Sequence, residues 1–330
     1  MLSGWAGTFD FCAPNLYNTD RKMMSDNSFT GGAYMDLIKL ETFLDIVERG
    51  SYSRACEDLG YSISGISKMM KSMEDEIGIP LINRTNKGIS LTPDGEKVLP
   101  MIRELINYKD TLEEEFSLIR GVETGKIRIG CFPTVSFAWI PSLIAEFKEH
   151  HPNIAVEVVE ENIIKNLEQW LNQGIIDIGI LSRQDYHNYD WVGMKNDPYV
   201  ALFPEGHWFE ELEKVPVNDL FAENMVFFKS QDGIDQDIVH VMQYLNIDKI
   251  PQYTSNSDFT AIRLVERQGF VTMIPELIAK EAVGLFSVDY RPIDTEVKRE
   301  LGFAVRDIKR VSPAVRQLLR YVEKSDLFSY

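Results

Sequence analysis

Three short stretches of helical periodicity, each closed by a glycine and followed at once by a hairpin signal, constrain this chain more than any other feature. From Asp36, the apolar residues Leu37, Leu40, Phe43, Leu44 and Val47 recur every three or four positions, which marks one face of a helix, and Gly50 ends it. Ser53 is placed to cap a second short helix through Ala55, Cys56 and Leu59, closed by Gly60. Ser62 is placed to cap a third, with Ile66, Met69, Met70, Met73 and Ile77 inward and Gly78 as its stop. Pro80 to Thr85 and Ile89 to Leu91 then read as two strands around the polar turn Asn86-Lys87-Gly88.

Three helices and a hairpin in this order form a winged helix-turn-helix. The second helix braces the third, and the third offers its N-terminal residues to base edges in the major groove. The expected DNA contacts are Ser62, Ile63, Ser64, Ser67, Lys68 and Lys71 on the third helix and Ser53 and Arg54 on the second, with Arg84 and Lys87 on the wing. Hydroxyls take base edges or phosphates, Ile63 suits a thymine methyl, and the cations suit phosphates. The competing reading of the same periodicity is a plain three-helix packing unit with solvated charges. Residues 35–93 carry Lys39, Arg49, Arg54, Lys68, Lys71, Arg84 and Lys87 against Asp36, Glu41, Asp45, Glu48, Glu57, Asp58, Glu74, Asp75 and Glu76. Each head is therefore expected to bind DNA modestly and with strong salt dependence, helped by binding as a dimer or tetramer.

Thr92-Pro93 is a helix start, a capping hydroxyl followed by proline at the first helical position. The helix runs to about Arg120. Val98, Leu105, Leu112 and Ile119 are seven apart, and Ile102 and Phe116 lie four beyond members of that row, with Lys109 in the missing place. This is a short heptad seam, enough for a two-helix contact between copies of the chain. The alternative is a helix packed on its own domain. Gly121 to Gly125 is a hinge. Beyond it strands alternate with helices: Lys126 to Gly130, a helix through Leu143 and Phe147, Ile154 to Val159, Ile163 to Leu171, Ile176 to Leu181, Tyr199 to Phe203, Met225 to Phe228, Phe270 to Ile274, and a last helix from Pro313 to Val322. That alternation predicts parallel, doubly wound sheets.

The segment Phe43 to Ala55, the run Ser62 to Lys68, the stretch Glu74 to Thr85, Leu91-Thr92-Pro93-Asp94-Gly95-Glu96 and Gly125 to Gly130 resemble the LysR-type transcriptional regulators. The resemblance spans residues 35–330. It implies an α+β multidomain chain: a winged helix-turn-helix over 35–92, a linker and dimerisation helix over 93–121, and a two-lobed α/β effector domain over 122–330, resembling periplasmic binding proteins. Residues 1–34, without periodicity, are expected to be a disordered extension ahead of Met35, the alternative being a functional arm. The family often has glutamine and proline where this chain has Ile63 and Ser64, so base preference does not carry over.

Ligands in such sheets sit beyond the carboxyl ends of strands, where helix N-termini point. The turn Phe132 to Ser136 is such a place, and Thr134, Val135 and Ser136 are the expected anchors, with Ser182, Phe203, Ser230 and Gln231 as further candidates. Phe132, Phe137 and Phe203 suggest an apolar wall and an aromatic acid. The competing reading is that Thr134 caps the helix over an empty cleft. The expected partners are double-stranded DNA, a small-molecule effector such as a carboxylate, further copies of the chain, and RNA polymerase as an additional candidate.

Composition excludes little else. At 330 residues, 44% apolar and 26% charged, the chain has room for two or three ordinary cores. Its net charge of −17 argues against coating nucleic acid nonspecifically but not against a local basic face. No apolar run approaches a membrane span, no signal peptide opens the chain, and Cys12, Cys56 and Cys131 are scattered, which fits a reducing cytoplasm. Catalytic motifs are absent, His150-His151 cannot share a helix face as a metal pair, and no cofactor is expected. The rivals are a pure solute-binding protein and an enzyme with a DNA-binding head.

Overall fold

The computed structural model describes residues 36–85, 88–183, 187–230, 233–234, 239, 242–244, 246–247, 252–296 and 298–325. The extension expected over 1–34, Lys87 and Gln231 lie outside the described residues. The chain divides into two compact units, one up to Glu96 and one from Lys97.

The first unit holds α1 (Leu37–Arg49), α2 (Tyr52–Leu59), α3 (Ile63–Ile77), β1 (Ile82–Thr85) and β2 (Gly88–Leu91). Asp36 caps α1 by accepting from the Ile38 N–H, and Ser62 caps α3 by accepting from the Gly65 N–H at 3.1 Å. Gly50, Gly60 and Gly78 close the three helices in the left-handed conformation. Ser53 does not cap α2. That helix begins two residues after Gly50, so Ser51 takes the cap position and Ser53 lies inside the first turn. Leu40, Phe43, Leu44 and Ile46 of α1 pack with Ala55, Ile66, Met70, Met73 and Leu81. Ile46 turns inward more than Val47, the residue the periodicity favoured. β1 and β2 pair antiparallel with Ile82 opposite Leu91 and Thr85 opposite Gly88, so Gly88 belongs to the strand and not the turn.

α4 (Pro93–Ile119) starts at the predicted cap, with the Thr92 hydroxyl accepting from the Gly95 N–H at 2.9 Å. The second unit continues with β3 (Gly125–Cys131), α5 (Pro133–Ala138), α6 (Ile140–His150), β4 (Ile154–Glu160), α7 (Ile164–Asn172), β5 (Ile178–Ser182), β6 (Asp190–Pro204) and α8 (Val217–Ala222). There follow β7 (Val226–Ser230), β8 (Gly233–Ile234), β9 (Tyr253–Ser255), α9 (Asp258–Gln268), β10 (Thr272–Pro275), α10 (Glu276–Val283), β11 (Val288–Pro292), β12 (Lys298–Val305) and α11 (Pro313–Lys324).

The sheets are mixed, not purely parallel. β3 pairs parallel with β4 and β5, but β12 runs antiparallel to β5 and β6, and β10 and β11 run antiparallel to β6. The departure has a topological cause. β6 is fifteen residues long, and its first part pairs with β12 while its end pairs with β10 and β11. It therefore crosses from one lobe to the other and β12 returns beside it, which makes that pair antiparallel. One core gathers Ile127, Ile129, Phe147, Ile178, Phe303 and Leu318. The other lobe is built on both faces of β6, with Phe203, Phe209 and Phe227 on one side and Val200, Leu202 and Ile262 on the other.

Candidate functional site

In the first unit Ser62, Ile63, Ser64, Lys68 and Lys71 are exposed, and Ser67 is half-buried. Ser64, Ser67, Lys68 and Lys71 fall at helical spacings of three and four, so they share one face of α3. Ser53 and Arg54 are exposed on α2. Arg84 lies in β1 opposite Ile89. The acids that outnumber the bases are partly committed to structure. The Glu74 carboxylate accepts from the Leu81 and Ile82 N–H groups at 2.7 and 3.0 Å, fastening the hairpin to α3. Glu76 accepts from Lys39 at 2.6 Å and from Ser72 at 3.0 Å, and these hydrogen bonds hold its carboxyl below the usual range.

In the second unit the end of β3 opens into a small cavity of about 50 Å³ between the lobes. Its lining includes Phe132, Thr134, Asn162, Tyr199, Phe228, Asp258, Met273 and Arg299. Thr134 is only 6% exposed, and its hydroxyl oxygen has no hydrogen-bond partner among the described residues. It does not cap α5: Phe132 holds the cap position without a side-chain bond, and Thr134 is the second helical residue. A buried, unpaired hydroxyl costs free energy unless something in the cavity completes it.

Arg299 supplies the charge. It faces Asp197 across the antiparallel pair β6–β12, with Nε and Nη2 at 2.9 and 2.8 Å from Asp197 Oδ2. Asp197 Oδ1 accepts the Leu277 N–H at 2.9 Å, and both side chains are almost fully buried. The guanidinium stands 5.9 Å from the centre of the Phe132 ring. The pair thus sits where the two crossing strands pass between lobes, and its arginine forms part of the cavity wall. Phe137 of α5 and Phe259 of α9 meet edge-to-face at 5.2 Å, joining the lobes.

The other expected effector residues lie elsewhere. Val135 and Phe203 are fully buried in the cores of the two lobes, and Ser182 is buried on β5 opposite Leu301. Ser136, one helical position pair beyond Thr134, turns to the Cys131 thiol instead. Ser230 ends β7. The aromatic wall is Phe132, Tyr199 and Phe228, since Phe137 faces Phe259 and Phe203 faces Phe209. Sequence reasoning missed Arg299 and Asp197, although a charged residue opening or interrupting an apolar strand was a signal for both. Cys131 is fully buried and burial pushes its thiol up to about 12, so it is an inert packing residue. His151 hydrogen-bonds Glu123 at 2.7 Å, and among the described residues no group of His, Cys, Asp or Glu converges to hold a metal.

On α4 the exposed apolar residues coincide only in part with those of the expected seam. Leu105, Leu112, Phe116 and Ile119 are exposed, as are Met101 and Tyr108, whereas Ile102 is buried within the chain and Val98 is half-buried. Met101 replaces Ile102 in the stripe, and Tyr108 fills the gap next to Lys109. Steps of three or four residues separate Met101, Leu105, Tyr108, Leu112, Phe116 and Ile119, which places this exposed apolar stripe on one face of α4.

Residues 37–96 match the family described as bacterial regulatory helix-turn-helix protein, lysR family, and residues 120–326 match the LysR substrate binding domain. The HTH-type transcriptional regulator YvbU of Bacillus subtilis is 26% identical over 292 residues, covering 88% of this chain and 98% of that one. Full-length OxyR of Pseudomonas aeruginosa superposes with a TM-score of 0.70 at 18% identity, covering 89% of this chain and 97% of that one. Full-length CbnR, solved in complex with its target DNA, gives 0.52 at 18% identity, covering 88% and 100%. No helix among the described residues is long and apolar enough to cross a membrane. With both of its units matched in the family's own order, this chain belongs to the LysR family: it is a DNA-binding transcriptional regulator with a substrate-binding domain.

Proposed function

We propose that the chain binds a dyad-symmetric promoter site through α3 and the β1–β2 wing, as a dimer paired along α4, and that a compact oxyanion between the lobes sets its DNA-binding state. The observation that carries the sensing half is the buried, unpartnered Thr134 hydroxyl on the same cavity wall as the Arg299 guanidinium. A hydroxyl donor beside an arginine suits an anion, and a planar carboxylate suits an arginine. The size of the cavity favours a compact ligand over an aromatic acid, because 50 Å³ is well short of the several hundred Å³ of a drug-sized site. The DNA half rests on the exposed Ser64–Lys71 face and on the family's fold, in which CbnR has been solved on its target DNA. The protein acts in the cytoplasm, where its promoters are, and works by binding without catalysis. RNA polymerase is the further partner such a regulator would engage.

The DNA half is tested by footprinting and a salt titration. Two protected half-sites about 34 Å apart are expected, one helical turn between heads. Lys71→Ala should weaken binding on every sequence and lower the slope of log K against log salt by about 0.9, the share of one phosphate contact. Ser64→Ala should instead change base preference. Protection without two-fold symmetry, or a slope unmoved by Lys71→Ala, contradicts the interface.

A further inference from the structure

Helix α4 is fastened to the β3–β12 lobe by polar side chains. Glu104 Oε1 lies 2.5 Å from Arg306 Nη2. Asn107 donates to the Gly174 carbonyl at 2.9 Å and accepts from Arg128 at 3.1 Å. Glu114 accepts the Lys126 N–H at 3.3 Å and the Ala314 N–H at 3.1 Å. Between helix and lobe runs a polar cleft of about 500 Å³, whose walls these groups form.

Two glycines leave room for this attachment. A Cβ on Gly125 would come within 2.6 Å of the Glu114 carboxyl carbon and 2.8 Å of the Ala314 Cβ. A Cβ on Gly174, whose φ is +66°, would come within 2.6 Å of Asn107 Nδ2. The chain is thus shaped on both sides to let helix side chains in. The fastening is also ionic and partly exposed. Burial pushes the Glu114 carboxyl above its usual range, so its charge depends on the N–H groups that hold it. Joints of this kind rearrange more readily than a packed apolar seam.

Three of the partners of α4, Lys126 and Arg128 on β3 and Arg306 just beyond β12, belong to the strands that reach the cavity. β3 begins at Gly125 and Lys126 under Glu114 and ends at Cys131, next to Phe132 and Thr134. β12 carries Arg299 in the cavity wall, and Arg306 follows its last residue to meet Glu104. We propose that this clasp of Glu104, Asn107 and Glu114 is the joint through which the state of the cavity is passed along β3 and β12 to helix α4, an inference that rests on the cavity being the sensing site. A ligand held by Thr134 and Arg299 grips one end of each strand, and the clasp holds the other ends against the helix that continues from the DNA-binding head. Coupling between sites can be carried by a contiguous run of hydrogen-bonded and packed elements such as this.

The test builds the charge into the cavity, so no ligand is required. Amide hydrogen exchange is followed in the full chain for Thr134→Glu and for the isosteric Asn162→Asp, each placing a carboxylate near Arg299. Either variant is expected to change exchange over residues 104–116 by about fivefold or more, the lower end of ordinary coupling between sites. In an Arg306→Glu background that change should vanish, and in the charge-swapped Glu104→Arg/Arg306→Glu chain it should return. A change that stops within 126–134 and 298–306 overturns the proposal. So does a change that reaches α4 undiminished in Arg306→Glu, or that the swap fails to restore. A finding that no anion binds would instead count against the sensing reading and leave these outcomes readable.

Discussion

Asp197→Ala is expected to be among the most destabilising single substitutions in the second unit. Asp197 and Arg299 are both nearly fully buried, and Asp197 also satisfies the Leu277 N–H. Removing the carboxylate leaves a buried cation without its partner and a backbone donor without an acceptor. Breaking a buried pair from one side costs about 3–5 kcal/mol. In a domain of this size that is a fall of roughly 10 °C in melting temperature. The double variant Asp197→Leu/Arg299→Met behaves differently, because exchanging a buried pair for apolar groups of similar volume is close to neutral. It should melt well above the single variant, short of the parent only by the cost of the Leu277 N–H left without its acceptor, and no longer respond to anions. A single variant as stable as the parent would show that the pair is solvated in solution and not the buried wall described above.

Leu112→Asp should separate the protomers. Leu112 is 53% exposed in the single chain and central in the α4 stripe, with Tyr108 before it and Phe116 after it. Each copy of a dimer would lose one buried leucine, about 1.5–3 kcal/mol apiece, before the cost of desolvating a carboxylate is added. The loss per dimer of about 3–6 kcal/mol weakens self-association by roughly 10² to 10⁴. Sedimentation at micromolar concentration should then find monomer where the parent is dimer, with helical content by circular dichroism retained. DNA affinity should fall with it, since two heads on one duplex gain from effective concentration. Unchanged mass places the dimer contact elsewhere, and Ile102→Asp would then only report a damaged core.

How far the sequence could be read depended on how local the physics was. The caps at Ser62 and Thr92 and the glycine stops at Gly50, Gly60 and Gly78 were legible because each is decided by a few neighbouring residues. Ser53 was misplaced by two residues, since both serines at 51 and 53 have capping chemistry and only the packing of α2 chooses between them. The α4 stripe was legible as a period but not as a phase. Met101 and Ile102 are adjacent and both apolar, and tertiary contacts alone send Ile102 inward. Thr134 could be placed at the end of β3, where it lines the cavity, because a strand-to-helix turn is a local signature. Asp197 and Arg299 were not, because 102 residues separate them and only the crossing of β6 and β12 brings them together. The antiparallel return of β12 is likewise a property of topology, which helix-strand alternation does not specify.

A compact oxyanion that completes the Thr134–Arg299 cavity must bind the free protein measurably. Calorimetry of the full chain against a panel of small anions, from formate and oxalate to inorganic phosphate, with benzoate as the aromatic comparison, tests it most directly. At least one compact anion should bind and raise the melting temperature, as any ligand of the folded state must. Thr134→Val should weaken that binding by roughly tenfold or more, the loss of one hydrogen bond to a charged group, without lowering the stability of the free protein. A panel in which no compact anion binds, or one that binds the Thr134→Val protein as tightly as the parent, would contradict it.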